Sequence, residues 1–448
     1  MFFSFINLWC NKNLVDTQYL LWKILEKYWK DFEYVTDPFS KSTEIVFLNT
    51  CSFISSWREE MFETINELQK YNKKICLIWC WVQYFEYLTK KNNISDDETK
   101  KREKLKNNDN IYILSWEQIA DFSPNMLTKK ESNYHCDYTR PKSARAYTNI
   151  DKWYEYIKIA EWCNNHCSFC IIPQIRGPQK SLPKEVVIQE AKNLINQWIK
   201  EIILLAQDTT RYGIDLYWEA KLFELLKEID KLEWDFNYRV LYLYPDILTK
   251  KHLEKLIKLK KFIPYFDLPL QHSSPTLLKS MGRFYNHNMT LELLNFIKSN
   301  FKQYYIRTNF IIWFPWETDE DFENLIAFIK EDYFNNIALF EYHDEKLAES
   351  TKLPNKVDDK KIRERFLIAK KLVDKLLSKR EKERKNKEFL GTVSDINLIK
   401  NNKYELTIRP FINCPEIDNE DTVNLENILE CFDWEEINIG SKVRYINA

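Results

Sequence analysis

Three cysteines fall within eight residues in the string AEWCNNHCSFC: Cys163, Cys167 and Cys170. Three thiolates on one short loop can cap three corners of a cubane 4Fe-4S cluster and leave the fourth iron open to a small molecule. A zinc loop normally brings four ligands in two paired turns. His166 is badly placed to be the fourth, because it and its neighbour Cys167 cannot easily both turn inward in so short a loop. A second trio is dispersed: Cys10, Cys51 and Cys80 each end an apolar run, the last two in EIVFLNTC and KKICLIWC. Taken singly, each is more simply a buried structural cysteine. Parallel strands would gather such ends, however, and beside the first motif the three read as a second cluster site. Cys76, Cys136, Cys414 and Cys431 have no such placement and read as ordinary thiols.

These cysteines need elements to position them. Residues 1–90 alternate short apolar stretches with helical patterns such as LVDTQYLLWKILEKY, which predicts a small parallel α/β domain over residues 1–122. The run KKNNISDDETKKREKLKNND at 91–110 is so charged that a solvated loop is expected, and a further loop-like stretch lies around 123–150. A second α/β series follows: YIKIAEW, EIILLAQD, YRVLYLYP, PYFDLPLQ, YYIRTNFIIWFP and IALFEY. That repetition predicts a barrel-like parallel sheet over residues 147–380 with its chemistry at the C-terminal strand ends. Gln207 and Asp208 sit at one such end, as candidate site residues or as a turn cap. A charged helix is expected from Asp358 to about Glu388, and a small all-β module over 388–448.

With 66 Lys+Arg against 67 Asp+Glu, no global basic field advertises a nucleic-acid partner. No apolar run approaches a membrane span, and the start lacks the charged n-region and cleavage site of a secretory signal. A cytoplasmic protein is expected, whose ten cysteines serve as ligands or catalysts rather than disulfides. Glycine is anomalous: 5 occur in 448 residues, far below the usual figure of about 7%, while tryptophan occurs 15 times. Trp79, Trp162, Trp313 and Trp316 stand where turn chemistry calls for glycine, and writing glycine into IIWFPWETDEDF restores the turn-forming GFPGET. We read this as a gene whose code uses UGA for glycine, translated by a table that wrote tryptophan.

KNLVD after Cys10, NTCSFI at Cys51, WC-x-Q at Cys80, AEWCNNHCSFCIIPQIRGPQKS, LLAQDTTRYGIDLY and QHSSPTLLKSMGR together resemble the radical S-adenosylmethionine methylthiotransferase family across nearly the whole chain. Phe169 matches the aromatic usual in that family's cysteine loop. The chain departs from the family at the tryptophans and at HDEKLAEST, where serine and glycine are usual. The resemblance implies an N-terminal methylthiotransferase domain, a radical domain folded as a partial TIM-type barrel and a C-terminal TRAM domain. It implies two 4Fe-4S clusters, on Cys10, Cys51 and Cys80 and on Cys163, Cys167 and Cys170, and S-adenosylmethionine bound with help from Phe169, Trp313, Trp316 and Glu317. An electron donor and a sulfur source are implied as partners.

KNLVD, AQDTTRYG and CPEID look like the protein-modifying branch, which methylthiolates the β-carbon of an aspartate in protein twelve of the small ribosomal subunit. Residues 411–448 hold nine acidic and two basic residues, a net of −7, which would attract a basic ribosomal protein and repel RNA. A merely solvated acidic surface is the plainer reading. The rival enzyme is a tRNA methylthiotransferase, favoured by the Lys and Arg of residues 360–387. A non-catalytic iron–sulfur or zinc scaffold is the alternative outside enzymology.

Overall fold

The computed structural model describes residues 1–8, 11–91, 95–114, 119, 122, 145–148, 153–354, 356, 359–399, 403–432 and 437–447. Cys10 and Cys136 lie outside them. The chain forms two compact units. One comprises Met1–Thr148, Trp162–Gln179 and His343–Thr351; the other comprises Asn149–Glu161, Lys180–Tyr342 and Lys352–Ala448.

The first unit holds a parallel sheet ordered β2-β1-β3-β4-β5, with β1 at Phe2–Asn7, β2 at Glu33–Tyr34, β3 at Ile45–Thr50, β4 at Lys74–Trp79 and β5 at Ile111–Ile113. All six residues of β3 are buried, because helices cover both faces and leave no wet side. Phe47 joins Phe3, Leu20 and Ile24 on one face. Val46 and Leu48 join Met61, Ile65 and Val82 on the other.

The expected loop at 91–110 is a helix over Asp96–Lys106. It buries only Leu105, so it offers no apolar period to read. Its start is written in a capping box instead: the Ser95 hydroxyl accepts from the Glu98 N–H, and the Glu98 carboxylate accepts from the Ser95 N–H at 3.0 Å. Asp96, Asp97 and Glu98 in the first turn and Lys104 and Lys106 in the last complement the helix dipole.

The second unit carries six parallel strands in the order β13-β12-β11-β10-β9-β6, where β6 is Tyr154–Lys158, β9 Glu201–Leu205, β10 Asn237–Val240, β11 Phe262–Gln271, β12 Tyr305–Ile312 and β13 Asn336–Glu341. Helices alternate with the strands, and the first strand does not pair with the last, which makes the sheet a partial barrel. A two-stranded ribbon of β7 (Ala160–Glu161) and β8 (Lys180–Ser181) follows β6.

The connecting helix spans Asp359–Arg384, shorter than expected at its C-terminal end. Asn386, at φ 57°, breaks it, and β14 begins at Lys387. The end module is an antiparallel sheet ordered β16-β15-β14-β18-β17, with β14 at Lys387–Ile399, β15 at Lys403–Pro410, β16 at Asp421–Asn424, β17 at Ile428–Cys431 and β18 at Lys442–Asn447. Its core is Val393, Leu406, Ile408, Val423, Val443 and Tyr445. A buried charge triad joins it to the barrel sheet. Glu201 accepts from Arg239 Nε at 2.6 Å and from Arg409 Nη1 at 2.7 Å, while Arg239 also donates to the Phe411 and Ile412 carbonyls. Burial acts to raise the Glu201 pKa, but the two guanidinium groups outweigh it and hold the carboxyl below its usual range.

Twelve of the 15 tryptophans are described, and eight of them have left-handed backbone: Trp79, Trp153, Trp162, Trp198, Trp218, Trp234, Trp313 and Trp316, with φ between 59° and 103°. Such a conformation costs an ordinary L residue about 1–2 kcal/mol. Eight together would cost on the order of 10 kcal/mol, comparable with the whole stability of a typical domain at about 5–15 kcal/mol.

Candidate functional site

Cys51 directly follows β3, and Cys80 opens the helix Cys80–Lys90 directly after β4, so two adjacent parallel strands deliver both thiols to one edge of the sheet. Both are buried. Asn49 and Asn13 fix the surroundings: Asn49 Nδ2 donates to the Asn13 carbonyl at 2.8 Å and to Thr17 Oγ1 at 2.9 Å, and Asn13 Nδ2 donates to the Thr50 carbonyl at 3.1 Å. Thr50 Oγ1 in turn accepts from the Trp81 N–H at 3.0 Å, holding the start of the next helix.

Into this setting reaches Arg176. Its Nη2 donates to Cys80 Sγ at 2.6 Å and to Asn13 Oδ1 at 3.0 Å. The Cys80 thiol is pulled down to about 5, first by a hydrogen bond from Cys51, against the opposing effect of burial, and then by Arg176 and Asn13. That depression favours the thiolate, the form that binds soft metals.

Arg176 ends the short helix Ile172–Arg176, which follows the cysteine loop and has a proline in its first turn. In that loop Cys163 is buried, while Cys167 and Cys170 are half-buried. The Asn165 N–H points at Cys163 Sγ at 3.4 Å, and the Cys170 N–H donates to the Cys167 carbonyl at 3.0 Å. Asn164 Oδ1 accepts from the Gln179 N–H at 2.8 Å, and the Ser168 carbonyl accepts from the Ser350 N–H at 2.8 Å, so both flanks are pinned. His166 is exposed and Phe169 half-buried. Among the described residues no three His, Cys, Asp or Glu side chains converge on a metal-holding point. The loop brings its three thiols onto one segment without closing them into a triad, and Cys10 lies outside the described residues. The donor set nevertheless fits an iron–sulfur group, since it is all soft sulfur and its one deeply buried charge, at Cys80, is matched by an arginine.

His343–Thr351, the string that departs from the family, packs into the same unit. Glu345, buried, accepts from the Ser55 N–H and from Arg58 Nη2, each at 2.7 Å, and Arg58 Nη1 donates to the Ser52 carbonyl beside Cys51.

In the second unit the turn after β12 holds Trp313, Trp316 and Glu317. Glu317 is turned inward: one carboxylate oxygen accepts from the Trp313 N–H at 2.6 Å, and the other accepts from Arg365 Nη1 at 2.9 Å. His272 Nε2 lies 3.6 Å from the first oxygen. Glu317 thus closes its own turn with one hydrogen bond at each oxygen. Trp316 is half-exposed, and the Trp313 indole lies under the Arg365 guanidinium, 3.6 Å from ring centroid to Cζ. Asp208 is a turn cap, its Oδ1 accepting from the Thr210 N–H at 3.0 Å and its Oδ2 facing Arg211 Nε; Gln207 beside it is half-buried.

Sequence reasoning missed Arg176 and Asn13 as members of the cysteine site. Both stood in the strings that carry the family resemblance, IIPQIRGPQKS and KNLVD. Neither residue type signals sulfur by itself.

Residues 157–329 match the Radical SAM superfamily, and residues 3–97 match the uncharacterized protein family UPF0004. The ribosomal protein uS12 methylthiotransferase RimO of Dictyoglomus thermophilum is 34% identical over 98% of this chain and 95% of its own. The chain belongs to the RimO family. Its namesakes in Pseudothermotoga lettingae and Aquifex aeolicus are 33% and 32% identical, each over 92% of this chain and over 91% and 88% of their own. The solved structure of the cobalamin-dependent S-adenosylmethionine radical enzyme OxsB aligns with 84% of this chain and 56% of its own, at 12% identity and a TM-score of 0.49. As a radical S-adenosylmethionine methylthiotransferase of the RimO family, the chain has the α/β architecture and the end module that its sequence predicts. Among the described residues no helix is long and apolar enough to cross a membrane.

Proposed function

We propose that this chain attaches a methylthio group to the β-carbon of an aspartate in small-subunit ribosomal protein twelve, with one 4Fe-4S cluster on Cys10, Cys51 and Cys80 and another on Cys163, Cys167 and Cys170. The observation that carries the reading is the contact between Arg176 and Cys80: the helix that follows the cysteine loop brings a guanidinium within 2.6 Å of the sulfur at the strand end. When bound, the clusters and S-adenosylmethionine supply the electron, radical, sulfur and methyl chemistry that no side chain can provide at an unactivated carbon.

The chain's own residues then have two tasks. Arg176, Asn13 and Cys51 keep the Cys80 sulfur charged and oriented in a dry setting. Phe169, half-buried, stands next to Cys170 in the loop. Glu317 and Arg365 fix the turn at Trp313 and Trp316. An electron donor and a sulfur source complete the system.

Recognition of a basic substrate falls to part of the acidic module only. Glu416 accepts from the Tyr154 and Tyr156 hydroxyls at 2.7 and 2.9 Å, and Asp418 accepts from the Cys414 N–H at 2.9 Å. Asp421 engages Tyr445 and Arg384. These carboxylates are occupied in holding the module; among the described residues the exposed acids that can face a partner are Glu426, Glu420, which accepts from Ser394 Oγ at 2.9 Å, and Glu430, which meets Arg444 Nη2 at 3.0 Å in a solvent-exposed pair.

The test is incubation of the reconstituted enzyme with purified ribosomal protein twelve, and separately with tRNA. A mass gain of one methylthio group on the aspartate-bearing peptide is expected. A gain on tRNA with none on the protein would overturn the proposal.

A further inference from the structure

We infer that eight of the tryptophans written in this sequence, Trp79, Trp153, Trp162, Trp198, Trp218, Trp234, Trp313 and Trp316, are glycine in the native protein. Composition alone raises the possibility without saying which positions are involved. Backbone geometry makes the selection. Of the five glycines, Gly177, Gly213, Gly282 and Gly440 have positive φ, and of the twelve described tryptophans eight do. No other residue type behaves this way: the remaining positive-φ positions are Asn72, Tyr242, Gln271, Asp332, Asn386 and Glu416, half of them the Asn and Asp that tolerate the conformation. Tryptophan, with a bulky Cβ substituent, is among the residues least suited to it.

Local context agrees at each kind of site. Trp198 follows the helix Lys184–Ile195, and its N–H returns to the Ile195 carbonyl at 2.9 Å, a helix-end position where glycine is the usual choice. Trp218, likewise, sits as the C-cap after Ile214–Tyr217 at φ 62°. Trp198, Trp218 and Trp234 are 69%, 91% and 62% exposed, so burial of the indole returns nothing against the strain. Trp313 is buried with its indole N–H lacking any hydrogen-bond partner, in a turn that Glu317 closes onto the backbone. Trp162 stands directly before Cys163, its ring against Gly177 at 3.5 Å from where a Cβ would lie. The Trp153 indole N–H donates to the Ile439 carbonyl at 2.9 Å.

Trp22, Trp57 and Trp81 lie within helices at ordinary φ, where glycine would weaken the element. They form an internal control that geometry does not assign to glycine.

Two experiments test the assignment, neither of which depends on the enzyme's substrate. Peptide mass spectrometry of protein isolated from its native source should find glycine at all eight positions; tryptophan at most of them would overturn it. In a common expression host, a gene carrying glycine at the eight positions should give more soluble protein with a higher thermal midpoint than the sequence as written. A control gene with Trp22→Gly, Trp57→Gly and Trp81→Gly should lower that midpoint. Equal or lower stability of the eight-glycine chain, or an equal gain in the control, would contradict the inference.

Discussion

The two cysteine groups of the first unit differ in how the chain treats sulfur. Cys51 and Cys80 are buried at a sheet edge, and Cys80 is matched by a guanidinium at 2.6 Å. Cys163, Cys167 and Cys170 occupy a pinned loop in which two thiols remain half-exposed and the Asn165 N–H points at Cys163 Sγ at 3.4 Å. Low-dielectric surroundings penalise an unpaired charge, so a cation beside the buried Cys80 sulfur offsets that penalty, while the half-exposed Cys167 and Cys170 keep part of their solvation. The difference suits a protected sulfur site on one hand and a site that admits a small molecule on the other.

Loss of a single cysteine should separate the two groups most sharply. Cys167→Ala is expected to abolish both reductive cleavage of S-adenosylmethionine and product formation. Cys80→Ala should abolish the methylthio product yet leave cleavage, read as 5′-deoxyadenosine, within a few-fold of the parent. Equal loss of cleavage in both variants would erase the distinction.

Arginine-held burial recurs in the second unit at Glu201. Glu201→Gln leaves Arg239 and Arg409 buried without their counter-charge, and should destabilise that unit by about 3–5 kcal/mol, measured by denaturant unfolding. Because the folded carboxyl is held below its ordinary value, its contribution is present above the unfolded pKa and disappears as pH falls through the folded one. A destabilisation under about 1 kcal/mol would mean that the ion triad adds little to the packing around it.

Arg176→Gln should move the Cys80 thiol upward from about 5 in the cluster-free protein, and Arg176→Lys should restore part of the shift. Rate of alkylation against pH reads this directly. The sign for stability follows from the same depression: Cys80 contributes most above its unfolded value, and the contribution is lost as pH falls through the lowered folded one. An alkylation midpoint unmoved by Arg176→Gln would remove the arginine from the site. The smallest effect is expected at Ser95→Ala, which breaks the capping box of Asp96–Lys106 and should cost about 1 kcal/mol in chemical denaturation of the first unit.

That helix also marks what could be read from the chain and what could not. The six barrel strands were legible as short apolar runs between helical patterns, and Cys51 and Cys80 because their runs stop at them. Residues 96–106 bury one side chain and so have no hydrophobic period, and the Ser95–Glu98 signature is the signal that carried the information. Arg176 was not legible as a sulfur partner, since a charged residue on a short helix reads as surface until the fold brings it to Cys80. Glu317 was legible in position, but the bond from its carboxylate to the Trp313 N–H of its own turn had no signal in the string. The left-handed positions were legible at four tryptophans through turn strings, whereas Trp153, Trp198, Trp218 and Trp234 sit in strings with no motif to betray them.

The account rests on two separate three-cysteine sites, and iron stoichiometry tests it most directly. Anaerobically reconstituted protein is expected to hold about eight irons per chain, and the Cys163→Ala, Cys167→Ala, Cys170→Ala triple variant about four. About four irons in the parent and none in the variant would contradict it.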